Sequence, residues 1–167
     1  YWTPVDDALA HLTKNLSVIT DIKTSKISRA SGRVLASDVT ANRDHPPTPN
    51  SAVDGYGFAG PLGDGAQSLP LMTGRAAAGA PFGETLTAGH AVRVLTGAAL
   101  PEGVDTVVLQ EDVTVDGDTL LLNGPLKRGA NARAAGEDMT KGQTILSAGR
   151  VLTPADLGML AAAGVGA

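Results

Sequence analysis

In TPNSAVDGYGFAG, residues 48 to 60, a hydroxyl, a carboxylate, a phenol and two glycines fall within seven positions: Ser51, Asp54, Gly55, Tyr56 and Gly57. Pro46 and Pro47 stiffen the approach. Asp54 is flanked by Ala52, Val53, Tyr56 and Phe58, so its carboxylate must either accept backbone N–H groups or point into a cleft. An ordinary turn is the plainer reading, because Asp and Gly are good turn formers and Asp often caps its own turn. A second candidate is VLTGAALPEGVDTVV, residues 94 to 108. Here Thr96 offers a hydroxyl at a strand end, and Gly97 would let backbone approach a ligand closely. A simple connecting turn explains it equally well. It is not a P-loop, since no Gly-Lys-Ser/Thr follows.

Two further clusters are acidic: Gln110-Glu111-Asp112, and Glu137-Asp138 in the stretch that opens with Arg133. Paired carboxylates can hold a hard cation, but more often they are solvated or partner arginines. His11, His45 and His90 are scattered without ligand spacing. No Gly-x-Ser-x-Gly elbow is present, which leaves a Ser-His-Asp hydrolase without support. Two loops that could share a cleft are as far as spacing leads; they do not name a substrate.

Those loops need a scaffold, and hydrophobic periodicity outlines one. Thr3 as N-cap, Pro4 at N1 and Asp6 in a capping box predict a first helix, with Val5, Ala8, Leu9, Leu12 and Leu16 on one face. A shorter helix is expected from Ser28, turning Ala30, Val34 and Leu35 inward. Runs at 91–95, 106–110, 112–115 and 119–122 read as strands, and Asp116-Gly117 predicts a type I′ hairpin turn. Residues 72–86 suggest short strands and tight turns. Thr153-Pro154-Ala155-Asp156 repeats the capping pattern, with Leu152 and Leu157 as a hydrophobic staple, Leu157, Leu160 and Ala161 inward and Gly164 as C′ residue. The expected fold is α+β and predominantly β: a β-rich domain (44–132) inserted into a discontinuous helical stalk domain (1–43 plus 133–167).

Composition narrows the function classes. Hydrophobic residues are 43% of the 167, enough for a core, and aromatics only 3%, so that core is aliphatic. The formal net charge of −4 argues against a nucleic-acid surface; the densest basic stretch reads as Lys127, Arg128 and Arg133. The absence of cysteine excludes disulfides, thiolate metal sites and cysteine nucleophiles. No apolar run approaches the roughly 20 residues of a membrane span, and a soluble cytoplasmic protein is expected. The chain starts at Tyr1 and stops just past a helix end, which suggests a piece of something longer.

SAVDGYGFA at 51–59 resembles the Ser-Ala-Met-Asp-Gly-Tyr-Ala signature of the MoeA/gephyrin E-domain family, the molybdopterin molybdenumtransferases. GRVLASDVTANRDHPP (32–47), VRVLTGAALPEGVDTVVLQED (92–112) and the stretch 131–166 are similar to the family in order and spacing. The resemblance implies the N-terminal part of an enzyme that inserts molybdate into adenylylated molybdopterin with release of AMP, as a homodimer. It implies Mg²⁺ for the full-length enzyme, bound largely by a domain absent here, so this chain alone should be inactive. Asp54 and Thr96 map to family residues lining the catalytic cleft. The carboxylate would position Mg²⁺ or a metal-bound water, or accept a proton, and Thr96 would orient by hydrogen bonding. Ser51, Gly55, Tyr56 and Gly97 would support the loops. The chain departs from the pattern at Thr48-Pro49, where Phe-Asp is common, and at Val53, where Met is usual. A non-catalytic scaffold of the same family, or an acid-clustered metal-binding β domain, are the alternatives.

Overall fold

A computed structural model describes residues 2–166. The chain runs through α1 (Val5–Asn15), a 3₁₀ turn (Ile27–Arg29), β1 (Val39–Thr40), β2 (Asn50–Ser51), β3 (Gly55–Phe58) and β4 (Leu62–Ala76). It continues through β5 (Ala91–Val94), β6 (Thr106–Leu109), β7 (Val113–Asp116), β8 (Thr119–Leu126), β9 (Ala132–Arg133), β10 (Thr144–Leu146) and α2 (Pro154–Ala162). The fold is α+β and mostly β. Its centre is a six-stranded sheet of order β6-β3-β5-β4-β8-β7. Only the β4–β5 pair is parallel.

Val92, Val94 and Val107 pack with Ala76 and Ala98 in one cluster; Phe58, Ala91, Val108, Leu120 and Leu122 form a second. Both clusters draw all their members from between Val53 and Leu126. A third, built on Ala30, Leu146, Leu152 and Leu160, and a fourth, on Ala41, Met139 and Ala163, draw on the flanking segments alone. Between the two sets of cores the outgoing and returning chains run antiparallel. Val34 bridges Val151, Val39 pairs with Leu146, His45 bridges Met139, and Asn50 pairs with Arg133.

The helix at the C-terminal end forms as its sequence dictates. Thr153 accepts from the Asp156 N–H and Asp156 accepts from the Thr153 N–H, a complete capping box with Pro154 at N1. Leu152 and Leu157 meet in the third core. At the other end Val165 N–H reaches the Leu160 carbonyl and Gly164 N–H that of Ala161, the Schellman pattern, with Gly164 at φ +74°. Ala161 itself is exposed; Asp156 and Leu160 are the buried positions.

Other expectations are corrected. In α1, Pro4 is the N-cap and no side chain caps the helix, so Thr3 does not serve. No α1 residue is buried, and Val5 (74% exposed) and Leu16 (72%) head an uncovered apolar stripe. The helix expected from Ser28 is only the 3₁₀ turn. The backbone after it is used by the returning chain instead: Gly32 N–H donates to Leu152 and Leu35 N–H to Arg150. Ala30 is buried, Leu35 half-buried, and Val34 exposed. Residues 62–76 form one long strand; Gly63, Gly65, Pro70 and Gly74 hide it from pattern reading, and its register shifts twice. In the β7–β8 hairpin Asp116 pairs with Thr119, leaving Gly117-Asp118 as the turn. Only Gly117 has positive φ (57°), as a type II′ rather than a type I′ turn requires.

Candidate active site

The segment read as a single functional loop is half strand. Gly55–Phe58 lies inside the sheet, paired on one side to β5 and on the other to β6. This placement explains both glycines. A Cβ on Gly55 would fall onto the Val108 carbonyl oxygen, and one on Gly57 would sit 2.6 Å from Val104 Cγ1. Both positions need glycine because neighbouring atoms occupy the side-chain space.

Just before β3, Asp54 meets Thr96, which lies just beyond β5. The Thr96 N–H donates to Asp54 Oδ1 at 2.7 Å, and the Thr96 hydroxyl donates to the same oxygen at 2.6 Å. Asp54 is half-buried and Thr96 exposed. The hydroxyl bond, then the backbone bond, hold the Asp54 carboxyl below the ordinary carboxylate range; partial desolvation opposes them, and the Arg93 charge assists. Asp54 Oδ2 accepts no hydrogen bond from any described residue. The pair therefore presents a fixed, ionised acceptor beside an oriented hydroxyl.

Ser51 is 2% exposed, so it does not face the surface. Its Oγ donates to the Val53 carbonyl at 2.6 Å and accepts from the Val53 N–H at 3.3 Å, shaping the bend before Asp54. Ser51 N–H donates to Ala98, and Gly97 N–H donates to Ser51, which fastens the two loops together. Gly97 stands at φ +77°, so its glycine is required by the turn. Tyr56 lies opposite Arg93 and packs its ring into the second core.

Arg93 is not among the residues the sequence marks as a candidate, and Gln110 enters there only as a member of an acidic cluster. The Arg93 guanidinium lies 4.9 Å above the Tyr56 ring centroid and donates to Gln110 Oε1, while Gln110 N–H donates to the Asp54 carbonyl at 3.1 Å. One charged residue in the otherwise apolar run AVRVL was the available signal. Among the acidic clusters, Glu137 and Asp138 both engage Arg133, and His45 Nε2 lies 3.9 Å from Asp138. Their contact with Arg133 raises its pKa, chiefly through the Glu137 bond. Among the described residues no group of three or more His, Asp or Glu could hold a metal ion, and no helix is long and apolar enough to cross a membrane.

This geometry sits in a chain that belongs to a known family. A profile described as the MoeA N-terminal region, domains I and II, matches residues 3–164, and the chain is a member of that family. It is 38% identical over 163 residues to a molybdopterin molybdenumtransferase of Haemophilus influenzae, covering 96% of this chain and 40% of the relative. A protein of the same name from Synechococcus elongatus is 37% identical over 141 residues, 80% of this chain and 34% of the relative. The crystal structure of the molybdopterin biosynthesis MoeA protein of Pyrococcus horikoshii superimposes with a TM-score of 0.87 at 34% identity, over 99% of this chain and 45% of that one. The chain thus spans about two fifths of the curated relatives it matches.

Proposed function

We propose that this chain forms one wall of the active site of a molybdopterin molybdenumtransferase, whose substrates are adenylylated molybdopterin and molybdate and whose by-product is AMP. The double donation from Thr96 to Asp54 Oδ1 carries the reading. A solvent-facing carboxylate with one oxygen immobilised and the other free can accept a hydrogen bond from a substrate N–H or O–H. Its depressed pKa suits a constant negative charge better than a base that must take up a proton near neutrality. Thr96 has its proton committed to Asp54, so its hydroxyl oxygen is left to accept. Ser51, Gly55 and Gly97 hold the two loops in contact, and Tyr56 supports Arg93 behind them.

Mg²⁺, expected for the whole enzyme, finds no group of three or more His, Asp or Glu among the described residues of this chain; Asp54 could give it one carboxylate, with water and substrate phosphate completing the shell. No step here is routed through it. Most of the pterin and nucleotide contacts would come from the rest of the protein, so residues 1–167 alone are inactive on this reading. Two units, a stalk of 1–43 plus 133–167 and an inserted sheet domain of 44–132, agree with the separation of the cores. The bare apolar stripe of α1 supports a homodimer, which would cover it, and the setting is cytoplasmic.

Complementation tests the proposal. A strain lacking the molybdenum-insertion activity should regain active cofactor with the full-length protein, and should fail to with Asp54→Asn or with residues 1–167. Full rescue by Asp54→Asn would remove Asp54 from the site.

A further inference from the structure

A basic stretch as dense as Lys127–Arg133 lies near the start of the chain. From Ile22 to Ser37 the chain carries Lys23, Lys26, Arg29 and Arg33 and no acid. The bend through the 3₁₀ turn gathers all four around one concavity of about 400 Å³, with Thr24 and Ser25 completing its lining. All four cations are exposed, and none pairs with a carboxylate among the described residues. Elsewhere Arg128, Arg133 and Arg150 each hold an acid. Four exposed cations facing one hollow give it a positive potential that favours an anion there.

A second feature adjoins it. A groove of about 800 Å³ shares Lys23, Ser25 and Arg33 with the cationic hollow. Its walls are largely aliphatic, with Val18, Ile22, Ile27, Val34, Leu35 and Leu152 prominent, and Asp21 is its one acid. Asp38, the next acid along the chain, is occupied by the Ala148 N–H at 2.8 Å. Charge at one end and hydrocarbon along the rest fit a ligand with the same division.

We propose that the junction of the hollow and the groove binds a small amphipathic anion, with its charged head among Lys23, Lys26, Arg29 and Arg33 and its apolar body along Val34 and Ile22. The volumes lie in the range of small-molecule sites. The site is remote in sequence from Asp54 and Thr96 and stands apart from the proposed transfer function.

Calorimetric titration of the full-length protein tests it, with octanoate as probe, acetate as the head alone and 1-octanol as the body alone. Octanoate should bind at one site per chain, at least tenfold more tightly than either control. The double variant Lys23→Gln/Arg33→Gln should weaken octanoate at least tenfold, Val34→Asp should abolish binding, and Lys127→Gln/Arg128→Gln should leave it unchanged. These side chains are exposed, so circular dichroism should show the folded protein throughout. No octanoate binding overturns the proposal, as does octanol binding equally well, insensitivity to the rim variant, or saturation only on anionic lipid vesicles.

Discussion

Asp54 and Thr96 are 42 residues apart in sequence, yet both donors of Thr96 converge on one Asp54 oxygen. The residues stand at the ends of neighbouring strands, so the hydrogen bonds tie β3 to β5 where their side chains reach solvent. The asymmetry matters: one oxygen is committed to the scaffold and the other is open.

The first prediction follows from that asymmetry. Thr96→Val keeps the backbone donor and removes the hydroxyl, the largest influence holding the Asp54 carboxyl low. Removing something that lowers a pKa raises it, so Asp54 should titrate closer to the ordinary carboxylate range in the variant. Carbon NMR of the carboxyl follows this directly, and the acid limb of the transfer activity proposed for the full-length protein should move the same way. Thr96→Ser should restore wild-type behaviour. An unmoved titration in Thr96→Val would mean that the hydroxyl bond is not formed in solution.

Glycine in β3 provides a second test. Gly55→Ala forces a methyl against rigid backbone at Val108, whereas Gly57→Ala meets a valine side chain that can yield. Overpacking of this kind costs about 1–3 kcal/mol, and Gly55→Ala should fall at the upper end or fail to fold. Urea unfolding of the two variants ranks them; equal stabilities would contradict the central placement of this strand.

At the start of α2, Asp156 is 2% exposed and held by Arg150 and both donors of Thr153. These bonds, Arg150 foremost, lower its pKa to about 2. A carboxyl depressed on folding stabilises the native state above its unfolded value of about 3.9, and that contribution disappears as pH falls toward the folded value. Stability should therefore drop between about pH 4 and pH 2, and Arg150→Gln, by raising the folded pKa, should lower stability at neutral pH and leave a smaller acid loss. Thr153→Ala should cost about 1 kcal/mol at neutral pH. Urea midpoints from pH 6 downward check both statements.

The stripe on α1 makes the fourth prediction. Leu9 and Leu12 are 56% and 51% exposed, so Leu9→Glu/Leu12→Glu should change chain stability by no more than about 0.5 kcal/mol. Self-association should weaken markedly if this face meets a second copy. Sedimentation of the full-length protein at several concentrations separates these effects; an unchanged dimer would place the interface elsewhere.

Legibility followed the physics of each segment. The strands at 91–95, 106–110 and 119–122 were readable because β-branched and aliphatic runs bury themselves between others, and α2 because its caps are local. The long β4 was not, since its glycines and Pro70 look like turn residues while its pairing is set by β8, far along the chain. In β3, pattern reading sees flexibility where the fold uses glycine for steric room. The α1 capping box failed because Pro4 took the N-cap position. Family resemblance placed Asp54 and Thr96 in one cleft, but their hydrogen bonding is visible only in the structure, as no local rule brings residues so far apart together. Arg93 stands out as the one charge in AVRVL, but a lone cation in a strand does not say which ring lies beneath it.

The antiparallel track of residues 34–51 against 132–151 sets how the protein can move. A segment hung on one flexible tether can wander; one suspended on two zipped rails cannot swing without unfastening hydrogen bonds such as those between His45 and Met139. A single residue added to either rail would slip the register and turn its side chains to the opposite side, so the spacing of these two stretches should tolerate substitution far better than insertion.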